Sequence, residues 1–239
     1  MAVYTIGDLH LSLGGDHSMD VFSGWENYVE RIKQNWQEQV CPQDTVVLAG
    51  DTSWGMSLEE ALPDFRFLDI LPGKKILLKG NHDYWWTTKT KMDAFFCENG
   101  LKSLEILHNN TIVRDGIAIC GSRGWLLETG KAFDTKIIRR EAVRLELSLS
   151  QGAKTGLPVF AFLHYPPIYG DSICPEIFDV LGRFDVRQCY YGHIHADGCR
   201  WAANGEYCGI QFHLVSGDYR KFRLLPVAEG QEGENGIKV

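Results

Sequence analysis

Residues able to bind metals or move protons recur in five short stretches of this sequence. The stretches read Gly7-Asp8-Leu9-His10, Gly50-Asp51, Gly80-Asn81-His82-Asp83, His164 and Gly192-His193-Ile194-His195. Each follows an apolar run of the kind that forms a buried strand. Asp8 and His10 alternate with Leu9, so an extended backbone would place both polar side chains on the same side. Because α/β sheets bind ligands beyond the carboxyl ends of their strands, we expect the five stretches to meet.

The donor atoms in these stretches are carboxylate or amide oxygens and imidazole nitrogens. The seven candidate metal ligands are Asp8, His10, Asp51, Asn81, His164, His193 and His195. Such ligands suit Mn, Fe, Zn or Ni better than Cu(I) or an iron–sulfur cluster. Seven ligands are too many for one ion and suit two ions that share a bridge. One such stretch alone is more often a hydrogen-bonded turn, but recurrence at five strand ends favours a metal site.

The first half of the chain repeats the order strand, loop, helix. We predict strands over residues 2–7, 45–49 and 75–79, and a helix over 88–99. Each predicted strand leads into one of the first three stretches. This order of elements predicts an α/β fold.

The second half of the chain contains more strand pairs. Asp115-Gly116 and Asn204-Gly205 each separate short strand-like segments, which is typical of two-residue hairpin turns. We also predict a helix near 135–149 and strands over 158–163 and 186–191. These last two strands lead into the stretches that contain the candidate histidine ligands.

Length and composition are those of an ordinary globular protein. The chain has 239 residues, 44% of them hydrophobic, and we expect one domain over residues 1–226 with a loosely ordered tail over 227–239. A net charge of -7 argues against broad binding to a nucleic-acid backbone. No apolar run approaches the roughly 20 residues that span a bilayer, and no basic signal region is evident, so we expect a cytoplasmic protein. The seven cysteines are expected to be mostly buried, reduced thiols.

In chain order the stretches read D-x-H, G-D, G-N-H-D, H and G-H-x-H, from residue 8 to residue 195. This pattern resembles the signature of the calcineurin-like metallophosphoesterase superfamily, and G-D-L-H-L-S-L-G and N-H-D-Y-W-W resemble a bacterial subgroup of predicted phosphohydrolases within it. The resemblance implies a four-layer sandwich of two mixed β-sheets flanked by helices, with two divalent metal ions at the sheet ends.

The resemblance also implies how the ligands are shared between the two ions. The first ion would be held by Asp8, His10, Asp51 and His195. The second would be held by Asp51, Asn81, His164 and His193. Asp51 would then be the bridge between them.

The resemblance assigns catalytic roles as well. His82 matches the catalytic histidine of the superfamily, and Asp83 matches the carboxylate that orients it. Two dications with two aspartates leave a charge of about +2, which a phosphate dianion would neutralise. We therefore predict a hydrolase of phosphomonoesters or phosphodiesters, with in-line attack of a metal-bridging hydroxide on phosphorus. His82 would stabilise the transition state or protonate the leaving oxygen.

Three side chains are candidates for contacts with the substrate, which we expect to be a phosphorylated small molecule or a nucleotide-like compound. Trp54 stands three residues after Asp51, where many relatives carry a polar residue, and Trp86 follows the third stretch. Either indole would be able to stack on a base or sugar, although packing around the metal site is the simpler interpretation. Arg123 is a candidate phosphate clamp.

Two other functions are compatible with the same residues. The site would also suit cleavage of a pyrophosphate or another nucleotide-type bond, which a substrate panel would distinguish. A third hypothesis is a metal-bound subunit that only binds a partner. Such a protein is expected to have lost ligands or the catalytic histidine, and every one of these positions is filled in this sequence.

Overall fold

Strands and helices alternate along the chain in the computed structural model, which describes residues 1–126 and 135–227. In this part of the chain the strands are β1 (Val3–Ile6), β2 (Thr45–Leu48), β3 (Lys74–Leu77), β4 (Leu104–Ile106), β5 (Thr111–Arg114), β6 (Ile117–Ser122), β7 (Val159–Leu163), β8 (Ile168–Tyr169), β9 (Ser172–Ile173), β10 (Gln188–Tyr191), β11 (Gly205–Tyr207), β12 (Ile210–Leu214) and β13 (Leu225–Val227). The α-helices are α1 (Tyr28–Gln39), α2 (Leu62–Ile70), α3 (Lys89–Glu98), α4 (Thr135–Ala153) and α5 (Pro175–Arg183). Short 3-10 helices occupy Met19–Val21 and Ala196–Trp201.

Two mixed sheets contain most of the strands. The first sheet has the order β13-β1-β2-β3-β4, with β1 to β4 parallel and β13 antiparallel to β1. The second has the order β11-β12-β10-β7-β6-β5, with antiparallel strands only at its two edges. Strands β8 and β9 form a separate small hairpin. The parallel strands of both sheets direct their carboxyl ends to the same edge of the molecule.

Helices cover the outer face of each sheet. Helix α1 buries Tyr28, Ile32 and Trp36, which are spaced four residues apart and so lie on one face of the helix. They share a core with α2, α3 and the first sheet. Helices α4 and α5 form a second core with the outer face of the second sheet.

A third apolar core fills the space between the two sheets. Val47 and Ile76 of the first sheet lie in this core with Ile119, Phe160 and Phe162 of the second. Neighbouring residues of each strand point to the opposite face and join the helix-covered cores. The layers are therefore helix, sheet, sheet, helix, and the predicted four-layer α/β sandwich is confirmed.

One predicted hairpin is confirmed and the other is wrong. The turn at Asp115-Gly116 joins β5 to β6, as expected. Asn204-Gly205 is not the turn of a hairpin, because β11 and β12 are joined at Cys208-Gly209, whose φ angles of 52° and 79° suit a type I′ turn. The Asn204 side chain instead donates to the hydroxyl of Tyr219 and accepts from the N–H of Leu214.

Other expectations have mixed outcomes. All seven cysteines are free, but only Cys120, Cys174 and Cys189 are fully buried, so the expectation that most are buried is wrong. No helix among the described residues has the length and apolar character needed to cross a membrane. Of the expected tail, Val227 belongs to β13 and residues 228–239 lie outside the described part of the chain. The single-domain assignment stays a prediction.

Candidate metal centre

The candidate ligands meet at one edge of the sandwich because parallel strands from both sheets end there. The residues just beyond β1, β2, β3, β7 and β10 include Asp8, Asp51, Asn81, His164 and His193. The N–H of Gly7 donates to the carbonyl of Val215 at 2.7 Å. This bond ties the end of β1 to the segment after β12, so the two sheets are joined beside the site.

One cluster of donor atoms comes from Asp8, His10 and His195. Their ligand atoms all lie within 4.8 Å of one another. Nε2 of His195 is 3.4 Å from Oδ1 of Asp8, which is completely buried. These three residues belong to the set predicted for the first ion.

A second cluster comes from Asp51, His164 and His193, whose ligand atoms again lie within 4.8 Å of one another. The Oδ1 atom of Asn81 is 2.6 Å from Nε2 of His164, so the amide oxygen lies beside this cluster. The four residues are those predicted for the second ion.

Asp51 lies between the two clusters. Its Oδ2 atom is 3.7 Å from Nε2 of His10 in the first cluster and 3.5 Å from Nε2 of His164 in the second. A single carboxylate oxygen thus faces an imidazole from each side. This is the position that a bridging ligand must occupy.

The protonation of these groups shows whether they fit metal ions. Burial lowers the pKa of His10 and of His193 to about 3, so both imidazoles are neutral near pH 7 and offer a lone pair. Burial and the charge of Asp8 raise the pKa of Asp51 to about 8. Burial opposes protonation of His195, but the neighbouring carboxylates raise its pKa to about 10. The centre therefore attracts positive charge, and its carboxylate, amide and imidazole donors fit two divalent ions.

Four of the candidate ligands have left-handed backbone conformations. The φ angles are 57° at Asp8, 45° at His10, 50° at Asp51 and 73° at His193. The extended backbone expected around Asp8 and His10 is therefore wrong. The two side chains reach the same cluster because both residues turn, one on each side of the buried Leu9.

Hydrogen bonds outside the two clusters fix the orientation of two histidines. Nδ1 of His164 lies 3.0 Å from the carbonyl of Ala49, so Nδ1 carries the proton and the lone pair of the neutral ring is on Nε2, the nitrogen that faces Asp51 and Asn81. Nδ1 of His195 lies 2.9 Å from Oδ1 of Asp218, whose other oxygen accepts from the N–H of Ala196. Such carboxylate–histidine contacts orient metal ligands and increase their basicity.

Asp218 is not among the residues predicted from the sequence. It follows β12 in Ser216-Gly217-Asp218, which repeats the Gly-Asp pattern that follows β1 and β2. Burial favours its neutral form, but the hydrogen bond and charge of His195 lower the pKa of Asp218. The alternating apolar run Ile210–Leu214 is the signal that would have predicted this strand and led to the Gly-Asp pair beyond it.

His82 lies on the solvent side of the centre. Its ring centroid is 5.7 Å from that of His10 and 4.5 Å from that of Trp54, and Nδ1 is 3.3 Å from the hydroxyl of Tyr84. Its backbone N–H donates to Oδ1 of Asp51 at 2.7 Å. Burial lowers the pKa of His82, with a further contribution from His164, so the imidazole is neutral near pH 7.

The hydrogen bonds of the Asp83 carboxylate go to groups other than the His82 ring, so its role in orienting that ring stays a prediction. Its two carboxylate oxygens accept hydrogen bonds of 2.7 to 3.3 Å from the backbone N–H groups of Asp51, Thr52, Ser53 and Gly80 and from the indole of Trp85. Burial and the charge of Asp51 raise the pKa of Asp83 to about 6, and the N–H donors oppose this rise. Asp83 therefore holds the loop after β2 against the loop after β3.

The two candidate tryptophans have different surroundings. Trp54 stacks on His10, with ring centroids 4.9 Å apart and an interplanar angle of 28°, and it also contacts His82. Trp86 donates its indole N–H to Nδ1 of His108 at 3.2 Å and packs against Trp85. Trp54 thus lies at the centre, whereas the ring contacts of Trp86 are with residues outside the two clusters.

Arg123 is linked to the centre through its backbone. Its carbonyl accepts hydrogen bonds from the N–H groups of His164 and Tyr165. Its guanidinium lies over the ring of Trp125 at 4.9 Å and is 3.4 Å from the carboxylate of Glu141.

Two glycines allow the close approach of the loops. A Cβ atom on Gly80 would lie 2.1 Å from Oδ1 of Asp51, and one on Gly192 would lie 2.3 Å from Oδ2 of Asp8. No side chain fits at either position unless a ligand carboxylate moves. These two glycines are therefore part of the geometry of the centre.

A family model described as calcineurin-like phosphoesterase matches residues 1–197. The matched segment contains both clusters of donor atoms and His82. The chain belongs to the calcineurin-like phosphoesterase family. This family generally binds two divalent metal ions, in agreement with two clusters rather than one. Asp218 lies outside the part of this family member that the model matches.

Two solved structures share the fold of this calcineurin-like phosphoesterase. Phosphopantetheinyl hydrolase (PptH) from Mycobacterium tuberculosis is 16% identical, with 98% of each chain covered and a TM-score of 0.59. A protein of unknown function from Aquifex aeolicus is 16% identical, with 94% of this chain and 95% of that chain covered and a TM-score of 0.52. At this identity the likeness shows the fold alone. None of the curated protein sequences matches this chain.

Proposed function

We propose that this protein is a dinuclear metal-dependent hydrolase of phosphomonoesters or phosphodiesters. The observation that carries the proposal is the place of Asp51, whose one oxygen faces His10 on one side and His164 on the other. Two separate ion sites would not require a shared carboxylate. A shared carboxylate is what holds two ions about 4 Å apart, the spacing of two-metal hydrolases.

The residues on each side of Asp51 would hold one ion each. Asp8, His10 and His195 would bind the first, and Asn81, His164 and His193 the second. Bound divalent ions supply a lowered pKa for coordinated water and positive charge for phosphate oxygens. Mn, Fe, Zn and Ni all accept this mixture of imidazole and carboxylate ligands.

The protein's own contribution to the reaction would come mainly from His82. If the Tyr84 hydroxyl donates to Nδ1, the proton of the neutral imidazole is on Nε2. That nitrogen is then able to donate to a developing negative charge or to the leaving oxygen. Trp54 packs against both His82 and His10 and would limit the movement of the two rings.

The test is turnover by protein stripped of metal and reloaded separately with Mn, Fe, Ni or Zn. Paired chromogenic mono- and diester substrates would distinguish the two ester classes, and pyrophosphate and a phosphopantetheinyl compound would extend the panel. Asp51→Asn is expected to lose both turnover and one bound ion, whereas His82→Ala is expected to lose turnover and keep two ions. Elemental analysis of the reloaded protein measures the ions per chain.

The outcomes separate the hypotheses. One ion per chain in every metal state would contradict the dinuclear proposal. Two ions per chain with no turnover on the whole panel would favour the alternative of a binding subunit. Cleavage of pyrophosphate alone would favour the non-ester alternative. If Trp54→Leu and Trp86→Leu leave KM unchanged for every substrate, the hypothesis that these rings stack on the substrate is wrong.

A further inference from the structure

A cleft lined by cationic side chains lies beside the candidate metal centre. Lys79 follows β3, His108 follows β4 and Arg123 follows β6, and Arg144 from α4 completes this basic cleft. Three of the four groups therefore come from strand ends at the same edge of the sandwich as the two clusters. The cleft is not part of either cluster.

Positive charge is in excess among the residues that line the basic cleft. Glu141, only 1% exposed, forms ion pairs with Arg144 at 2.6 Å and with Arg123 at 3.4 Å. One carboxylate thus forms ion pairs with two guanidinium groups. The ammonium group of Lys79 has no hydrogen bond or ion pair among the described residues. Among the described residues that line the cleft, Lys79, Arg123 and Arg144 are cations and Glu141 is the one anion, which gives a formal charge of about +2.

His108 adds a neutral donor to the basic cleft. An indole N–H is only a donor, so the hydrogen bond from Trp86 requires Nδ1 of His108 to be the acceptor. Burial and the nearby cations lower the pKa of His108, so the ring is neutral and its proton is on Nε2. The indole of Trp86 therefore fixes the tautomer that offers an N–H donor.

Two residues that line the basic cleft are connected through the backbone to candidate ligands. Lys79 is two residues before Asn81 in the chain. Arg123 holds the backbone of His164 through its carbonyl. The basic cleft and the second cluster are therefore linked by short stretches of backbone.

We propose that the basic cleft is an anion subsite that binds a second phosphate group of the substrate, separate from the phosphate that is hydrolysed. Arginine and lysine side chains with few partners suit phosphate oxygens, because guanidinium and ammonium donors form charge-assisted hydrogen bonds with them. The proposal rests on the proposed function and narrows the substrate to phosphoesters that carry two phosphate groups.

The size of the basic cleft determines where that phosphate lies. Its volume is about 20 Å³, which is room for about one water molecule. The phosphate would therefore lie at the mouth of the cleft. The side chains of Arg123 and Arg144 reach solvent there, with 22% and 35% of their surface exposed.

The test compares two ligands that differ by one phosphate, 5′-AMP and adenosine 3′,5′-bisphosphate, with the metal-loaded protein. Calorimetry gives the ratio of the Kd for AMP to the Kd for the bisphosphate, whether or not either compound is hydrolysed. We expect a ratio of at least 10 in the wild type, since a charge-assisted contact contributes about tenfold or more. Lys79→Gln should reduce the ratio at least fivefold, and it removes a side chain that has no hydrogen bond or ion pair among the described residues.

Lys33→Gln is the matched control, because it removes the same charge from an exposed pair on α1. A ratio that is the same in the wild type, Lys79→Gln and Lys33→Gln would overturn the subsite. Arg144→Gln is a second test, accompanied by a melting curve because it leaves Glu141 with one partner fewer. If no substrate is hydrolysed but the Kd ratio depends on Lys79, the proposed function is contradicted and the subsite is supported. If substrate is hydrolysed but the Kd ratio is the same in all three proteins, the subsite is contradicted and the proposed function is supported.

Discussion

Replacing Asp83 by Asn distinguishes a role in catalysis from a role in holding the loops. Oδ1 of Asp83 accepts three hydrogen bonds, and Oδ2 accepts two, from the N–H groups of Asp51 and Gly80. The amide oxygen of Asn would best take the place of Oδ1. Its NH₂ group would then face two buried N–H donors. Each unsatisfied buried donor costs about 1–3 kcal/mol, so the two donors together should lower the free energy of unfolding by about 2–6 kcal/mol.

That loss is a large part of the 5–15 kcal/mol by which most domains are stable. Urea unfolding at pH 8, followed by tryptophan fluorescence, would measure this loss as a midpoint lower by about 0.7–2 M for a slope of about 3 kcal/mol per M. His82→Ala is the control. The His82 ring is partly exposed and its hydrogen bond to Tyr84 is long, so the control should lose less than about 1 kcal/mol. If Asp83→Asn unfolds at the same urea concentration as the wild type but loses turnover, Asp83 orients His82 and the assignment made here is wrong.

Three further predictions follow from named contacts. Gly80→Ala places a methyl group against the carboxylate of Asp51, so we expect loss of bound metal and at least a 100-fold loss of turnover; full metal content would contradict this. Asp218→Asn weakens the contact that orients His195, so metal affinity measured with a chelator should fall about 10–100-fold, and unchanged affinity would refute the role. Lys75 is completely buried, and burial lowers its pKa to about 8. Between pH 8 and about 10.5 this lysine is therefore protonated in the unfolded chain and neutral in the folded chain. Stability of the wild type relative to Lys75→Met should therefore rise with pH across this window, by at most about 3 kcal/mol, and a constant difference in urea unfolding would contradict it.

The alternation of strands and helices was predictable from local patterns. Apolar runs before Asp8, Asp51 and Asn81 gave the positions of three parallel strands to within about two residues. The meeting of the candidate ligands followed from a general property of parallel strands. The four layers came from the resemblance, since hydrophobic periodicity does not show which sheet faces which helix.

Contacts between distant parts of the chain were not predictable in the same way. Asp83 accepts hydrogen bonds from N–H groups about 30 residues earlier in the chain, and Asp218 lies 23 residues after its partner His195. The hairpin error at Asn204 has the same cause. The side-chain amide of Asn204 forms hydrogen bonds with Tyr219 and Leu214, which a local pattern does not show. The hairpin turn lies instead at Cys208-Gly209. Short sequence patterns contain no information about such partners.

The left-handed conformations of Asp8, His10, Asp51 and His193 bear on any attempt to move this centre to another protein. Each such conformation costs a non-glycine residue about 1–2 kcal/mol, which the packing of the surrounding sandwich must offset. A regular strand or helix lacks these left-handed φ angles, so the same side chains grafted onto it would have different directions. A designer would have to transplant the loops, with Gly80 and Gly192 beside them, before the side chains could form the same cage.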